Sequence, residues 1–258
     1  MKTNPFDLRG KIAVVTGGNG GIGKGIADGL AAAGADIVIA ARNEEKTRKA
    51  AEDIQKSYGV RVFAIKTDVA HENEIREMVQ KAGEHFGGIH ILVNNAGTNI
   101  RKMPQEYVSS EWDQVMAINL RAPFLCCQAV YPVMKAGGGG KIVNIGSMTS
   151  IFGGAKLAPY GASKGGVVQM TRSLAVAWGQ DNIQVNAILP GWIDTELTIR
   201  ARKEIEGLHE RAVSRTPAGR WGTPADLAGT AVMLCSRASD FVTGVAIPVD
   251  GGFSTFLT

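Results

Sequence analysis

Ser147, Tyr160 and Lys164 are the residues of this sequence whose types and spacing could do chemistry. They lie within SMTSIFGGAKLAPYGASKGG, residues 147–166. Tyr160 and Lys164 are four positions apart, hence on one face of the helix that the stretch predicts. Pro159 suits the first turn of that helix. Ser147 follows the strand-like run KIVNIG and so sits at the carboxyl end of a strand. A tyrosine hydroxyl, with an ordinary pKa of about 10, is a poor acid–base group at neutral pH. A nearby ammonium favours the phenolate. Lowering the pKa by about two to three pH units corresponds to roughly 3–4 kcal/mol, which a buried cation can supply. A tyrosine and a lysine at this spacing also occur on ordinary amphipathic helices, so the elements around them decide what they mean.

The first such element is a glycine cluster, TGGNGGIG (16–23), between the strand-like KIAVV and the helical pattern GKGIADGLAAAG. A strand, a glycine-rich turn and a helix in that order are the context in which such a run binds a dinucleotide. Gly17, Gly21 and Gly23 permit a sharp turn, close approach of a pyrophosphate and close helix–strand packing, and the helix N-terminus offers free N–H groups to the anion. The spacing is one residue longer than the plain dinucleotide fingerprint. An acidic residue is expected about 20 positions further on, to hold the adenosine ribose. The run IVIAARNEE (37–45) has Ala41 and Arg42 there instead.

The rest of the chain alternates short apolar runs with amphipathic segments. Strand candidates are 11–16, 35–41, 60–66, 89–95, 140–147, 183–190 and 244–250, all nearly continuous in hydrophobicity, as in a parallel sheet buried on both faces. Such alternation predicts a doubly wound, three-layer α/β/α domain with a seven-stranded parallel sheet, spanning 1–258 as a single unit. SEWD (110–113) reads as a capping-box helix start, and TPAD (223–226) offers Thr223 as an N-cap with Pro224 after it. GGGG (137–140) reads as a tight helix-to-strand connection.

Composition excludes several classes. The net charge is +4, but the 28 Lys and Arg are dispersed among 24 acidic residues, so the basic patch of a nucleic-acid binder is missing. The densest basic stretch, 199–215, also carries three glutamates and reads as a solvated helix face. No run approaches the roughly 20 apolar residues of a membrane span, and the N-terminus lacks the apolar core of a signal peptide. Three cysteines, two of them adjacent, fit a reduced, cytoplasmic setting. The four histidines are scattered and no cluster has metal-ligand spacing, so metal-independent chemistry is expected.

TGGNGGIG, Asp68-Val69, NNAG (94–97), Asn119 in MAINL, Ser147, YGASK (160–164) and PGWIDT (190–195) occur in one order along the chain. Together they resemble the short-chain dehydrogenase/reductase family, over essentially the whole length. The resemblance implies a Rossmann-like fold and hydride exchange between a nicotinamide cofactor and a small carbonyl or alcohol substrate. Tyr160 would be the general acid in reduction and the base in oxidation. Ser147 would bond the substrate oxygen. Lys164 would lower the tyrosine pKa, an oxidised nicotinamide adding to the effect, and bind the nicotinamide ribose. Asn119 would anchor a proton-relaying water. The cofactor would be held by Gly17, Asn19, Gly21, Ile22, Gly23, Arg42, Asp68, Val69, Asn95, Ala96, Gly97, Tyr160, Lys164, Pro190, Gly191, Ile193 and Thr195.

In the resemblance, NAD-preferring members carry Asp where this chain has Ala41. Without that repulsion, and with the guanidinium fork of Arg42 to hold a 2′-phosphate, NADP(H) is expected over NAD(H). One departure is that many NADP-using relatives carry a second basic residue just before the middle motif glycine, where this chain has Gly20. Substrate would be set by 98–104, 147–158 and a lid at about 194–221, folded as one or two helices. NAGTNIR, IGSMTSIFGG and TPAGRWG look most like the branch of gluconate and deoxygluconate dehydrogenases. Arg101, Ser147, Tyr160 and Trp192 are the candidate substrate contacts, Arg101 for a sugar-acid carboxylate. A catalytically silent dinucleotide-binding regulator is the other class considered; the intact Ser147, Tyr160, Lys164 and Asn119 argue against it. The family commonly forms tetramers, and the apolar run 241–258 is suited to burial in a homotetramer.

Overall fold

The computed structural model describes residues 4–255. Seven parallel strands form one sheet: β1 (Ile12–Thr16), β2 (Asp36–Ala41), β3 (Val62–Lys66), β4 (Ile91–Asn94), β5 (Gly140–Ile145), β6 (Ile183–Pro190) and β7 (Ala246–Val249). Their spatial order is β3-β2-β1-β4-β5-β6-β7. The order reverses between β1 and β4, and in open α/β sheets that crevice is where ligands bind.

The helices are α1 (Gly21–Ala32), α2 (Glu44–Tyr58), α3 (Glu72–Phe86), α4 (Ser109–Met116), α5 (Ala122–Ala136), α6 (Ala158–Trp178), α7 (Glu196–Glu204), α8 (Leu208–Ser214) and α9 (Ala228–Cys235). Alternate strand residues divide between two cores. Ala13, Val15, Ile37 and Ile39 pack with Ile26, Leu30, Ile54 and Leu234 of α1, α2 and α9. Ile12, Val14, Val38 and Ala40 pack on the other face with Ile75, Met78, Val130 and Leu174 of α3, α5 and α6. Burial on both faces explains why the strands read as apolar runs rather than alternating ones. Each fully buried Ile or Leu contributes about 2–3 kcal/mol of transfer free energy, so the sheet is a rigid base for the loops at its carboxyl edge.

Most boundaries follow the residues. Thr223 caps the 3₁₀ turn Pro224–Leu227, where Asp226 accepts from its N–H (2.6 Å), and that turn leads into α9. The connection 137–140 does join α5 to β5. Several expectations change, most strands by one or two residues at an end, as where β5 stops at Ile145. Helix α4 begins before SEWD: Val108 is the N-cap, and Glu111 accepts from its N–H (3.2 Å). The carboxylate that closes a capping box is thus present without the hydroxyl, because Ser110 already lies within the helix. Strand β4 stops at Asn94, because Asn95 turns toward the glycine loop and bonds it.

No helix among the described residues is long and apolar enough to cross a membrane.

Candidate active site

The glycine loop leaves β1 at Thr16 with Gly17 and Gly21 both at positive φ (+65° and +52°), a conformation that costs glycine least. At Gly23 the constraint is proximity. A Cβ there would lie 2.3 Å from the Gly17 carbonyl oxygen and 2.4 Å from Asn95 Nδ2. Asn95 holds the loop closed, donating to the Thr16 and Gly17 carbonyls (3.0 and 3.2 Å), while its own N–H donates to the Thr16 hydroxyl. Ile22, on the first turn of α1, packs against the α1-side core.

A groove of about 700 Å³ opens at this point, lined by Gly17, Asn19, Ala41, Arg42, Asp68 and Val69 and continuing to Asn95, Ala96 and Gly97. Asn19 donates to the Thr47 hydroxyl (3.0 Å), which ties the glycine loop to the start of α2. Arg42 follows β2 directly, and among the described residues it makes no salt bridge or side-chain hydrogen bond. One Asp68 oxygen accepts from the Ala70 N–H (3.0 Å). The Thr67 hydroxyl, buried and lining the same groove, has no hydrogen-bond partner among the described residues. A close-packed glycine turn at a helix start, a groove at the switch point and an orphaned hydroxyl beside it fit a dinucleotide.

Ser147, Tyr160 and Lys164 come together at the end of β5. Ser147 caps a 3₁₀ turn (Met148–Ser150), its hydroxyl accepting from the Thr149 N–H (3.1 Å). Tyr160 is in the first turn of α6, with Pro159 before it. Lys164 lies one turn on, its Nζ 5.8 Å from the centre of the Tyr160 ring. That ammonium is buried and donates to the Ile145 carbonyl (2.7 Å). Burial pushes Lys164 down to about 8. Burial also pushes the Tyr160 hydroxyl above its ordinary value, while the Ser147 hydroxyl and the charge of Arg101 act in the opposite direction.

Asn119 is fully buried in a π turn, Ala117–Arg121, that interrupts the path from α4 to α5. Its side chain accepts from the Thr98 N–H (2.8 Å) and donates to the Thr98 carbonyl (2.9 Å) and the Ser163 hydroxyl (3.2 Å). A Cβ at Gly97 would lie 3.4 Å from Asn119 Oδ1 and 3.8 Å from Lys164 Nζ, so these three residues converge. Single π turns of this kind are frequent at functional sites.

After β6, Pro190 ends the strand and the Gly191 N–H donates to Val249 (3.0 Å). Ile193 is buried and packs into the α1-side core. Thr195 caps α7 and abuts the glycine loop, 3.4 Å from where a Gly21 Cβ would stand. Stretch 194–221 forms two helices, α7 and α8. Trp192 and Trp221, with ring centres 5.3 Å apart, support them in a small core of their own with Ala201, Leu208 and Ala212. Arg202 pairs with Asp194 and stacks on Trp221.

Sequence reasoning passed over Lys46, which lines the groove four positions after Arg42, on the first turn of α2; its place at the start of the helix after β2 was the available signal. It also passed over Tyr107, whose hydroxyl donates to the Ile100 carbonyl (2.6 Å) with the Lys156 carbonyl 3.2 Å away. This side chain links the two segments expected to select substrate, and nothing in its sequence context announces it.

The geometry agrees with what the chain resembles. A family model described as enoyl-(acyl carrier protein) reductase matches residues 17–254. The 2-dehydro-3-deoxy-D-gluconate 5-dehydrogenase of Dickeya dadantii (strain 3937) is 43% identical over 256 residues, 98% of this chain and 99% of its own. The 5-keto-D-gluconate 5-reductase of Escherichia coli (strain K12) is 42% identical over 247 residues, 96% of each chain. A crystal structure of a gluconate 5-dehydrogenase from Burkholderia cenocepacia J2315, in complex with NADP and tartrate, superposes with a TM-score of 0.93. It is 40% identical, and 98% of each chain is covered. With sheet order, glycine loop and the Ser147, Tyr160 and Lys164 cluster agreeing over nearly the full length, the chain belongs to the short-chain dehydrogenase/reductase family.

Proposed function

We propose that this protein is an NADP(H)-dependent oxidoreductase that interconverts a ketone and a secondary alcohol on a small sugar acid. The observation that carries the reading is the convergence of Ser147, Tyr160 and buried Lys164 beside the Gly97 end of the groove that starts at the glycine loop. That groove has Ala41 and Arg42, not an acid, at the end of β2. The relatives named for gluconate and keto-gluconate chemistry support the substrate class, and the NADP in the Burkholderia enzyme supports the cofactor.

The glycine loop with Asn19, Gly21, Ile22 and Gly23 receives the pyrophosphate, Asp68 and Val69 the adenine, and Arg42 the 2′-phosphate. Asn95, Ala96 and Gly97 line the groove, and Pro190, Gly191, Ile193 and Thr195 cover the nicotinamide end. The nicotinamide held there would supply the hydride chemistry at the substrate carbon. Ser147 donates a hydrogen bond to the substrate oxygen and holds it against Tyr160. The Tyr160 hydroxyl gives its proton to that oxygen in reduction and removes one in oxidation. Lys164 stabilises the phenolate and binds the nicotinamide ribose, with Asn119 anchoring the water through which the proton is replaced. Arg101, whose charge reaches Tyr160, pairs with the substrate carboxylate, and Trp192 forms the opposite wall beneath a lid made of α7 and α8.

The enzyme acts as a cytoplasmic homotetramer. Support comes from an apolar cleft of about 640 Å³ lined by Met116, Leu120, Phe124 and Met170. The run 241–258, described as far as Thr255, adds a fully exposed Phe241.

Steady-state kcat/KM with NADPH and NADH over sugar acids and neutral ketones tests the reading, with Tyr160→Phe as the control. The variant should lose about 10²–10⁴ in turnover while still binding NADPH. A preference for NADH sinks the cofactor assignment, and retained turnover in Tyr160→Phe sinks the mechanism.

A further inference from the structure

The groove carries a second cation that the family pattern does not place. Lys46 lies on the first turn of α2, whose N-cap Asn43 accepts from the Lys46 N–H (2.9 Å). Its side chain folds back over the glycine loop. A Cβ at Gly20 would meet Lys46 Nζ at 3.1 Å and Cε at 3.3 Å. A basic side chain at position 20 and the ammonium of Lys46 would therefore compete for the same space. Gly20 leaves that space to a residue from α2, on the same wall of the groove as Arg42.

Lys46 is also engaged elsewhere. Its Nζ bonds both carboxylate oxygens of Glu196 at 2.8 Å. Glu196 is the first residue of α7, next to Thr195, which abuts the glycine loop. The Glu196 side chain is 81% exposed, and an ion pair of this kind is worth little in water. A phosphate monoester carries about −1.5 to −2 charge and three acceptor oxygens, so it outcompetes one carboxylate for the same ammonium.

We propose that Lys46 is the second ligand of the cofactor 2′-phosphate, and that the phosphate takes it from Glu196, exchanging one ion pair for another at the start of α7. This rests on the NADP(H) reading above. It explains how the chain dispenses with a basic residue at position 20. It also couples the adenosine end of the groove to the helix over the substrate end, because the exchange frees the carboxylate that tethers α7 to α2. The freed Glu196 keeps a favourable place at the α7 N-terminus, where negative charge is stabilised by the helix dipole.

Calorimetric titration with 2′,5′-ADP and with 5′-AMP tests the exchange without turnover. The proteins are wild type, Lys46→Met, Lys46→Arg, Glu196→Gln and the Lys46→Met/Glu196→Gln double variant. Lys46→Met should weaken 2′,5′-ADP about tenfold or more, the usual value of a charge-assisted bond, and leave 5′-AMP unchanged. Lys46→Arg should restore most of it. Glu196→Gln should tighten 2′,5′-ADP by roughly three- to fivefold, the value of an exposed pair, and only while Lys46 is present. If Lys46→Met shifts both nucleotides alike or neither, Lys46 is not a phosphate ligand. If Glu196→Gln has no effect, or an equal one in the double variant, the exchange is overturned. A wild-type protein that binds 2′,5′-ADP no tighter than 5′-AMP refutes the NADP(H) reading itself.

Discussion

Lys164→Met isolates the cost of placing an ammonium where Lys164 sits. The side chain is 5% exposed, and the Ile145 carbonyl is the one hydrogen-bond acceptor its Nζ reaches among the described residues. Burial lowers its pKa from 10.5 to about 8. Between those values the folded chain holds fewer protons than the unfolded chain, so stability rises with pH through that window. At about 1.4 kcal/mol per pH unit, burial costs about 3 kcal/mol at pH 7 and roughly 1–2 kcal/mol at pH 9.5. Methionine, similar in length, removes that cost but leaves the Ile145 carbonyl without its donor, a loss of about 1–2 kcal/mol. The cofactor-free variant should thus be more stable than wild type by about 1–2 kcal/mol at pH 7, and the advantage should vanish near pH 9.5. Urea denaturation of both proteins at the two pH values, at one protein concentration, measures it. The buried thiols of Cys126, Cys127 and Cys235, which burial pushes up, lose stability equally in both proteins and cancel in the difference. A stability gap that does not change with pH refutes the argument that Lys164 is held against a desolvation penalty.

Two further substitutions probe the ends of the groove. Gly23→Ala puts a methyl group 2.3 Å from the Gly17 carbonyl oxygen. It should cost about 1–3 kcal/mol of stability and weaken NADPH at least tenfold by fluorescence titration; unchanged affinity would mean that the loop does not shape the pyrophosphate site. Arg101→Ala should raise KM for sugar acids about tenfold or more, the value of a charge-assisted contact, and leave neutral ketones unaffected. An equal effect on both substrate kinds would place the carboxylate elsewhere.

The fold and the Ser147, Tyr160 and Lys164 cluster were legible because they are local. Continuous apolar runs mark strands buried on two faces, and a four-residue spacing places Tyr160 and Lys164 on one helix face. The glycine spacing and Ala41–Arg42 likewise sit within single turns at strand ends. What remained hidden joins residues far apart in the chain. The resemblance singled out Asn119, but not the π turn or the bonds to Thr98 and Ser163 that make it a junction of three segments. Tyr107 joins the substrate loops through its hydroxyl alone. In the same way, Gly20 reads as a missing charge until the fold carries Lys46 across it and pairs it with Glu196, 150 positions away. By itself the sequence determined which elements form and which reactive groups they carry, since periodicity, capping and spacing act over a few residues. Tertiary structure alone decided which charges share a site, because that depends on how the loops of separate strands meet at one edge of the sheet.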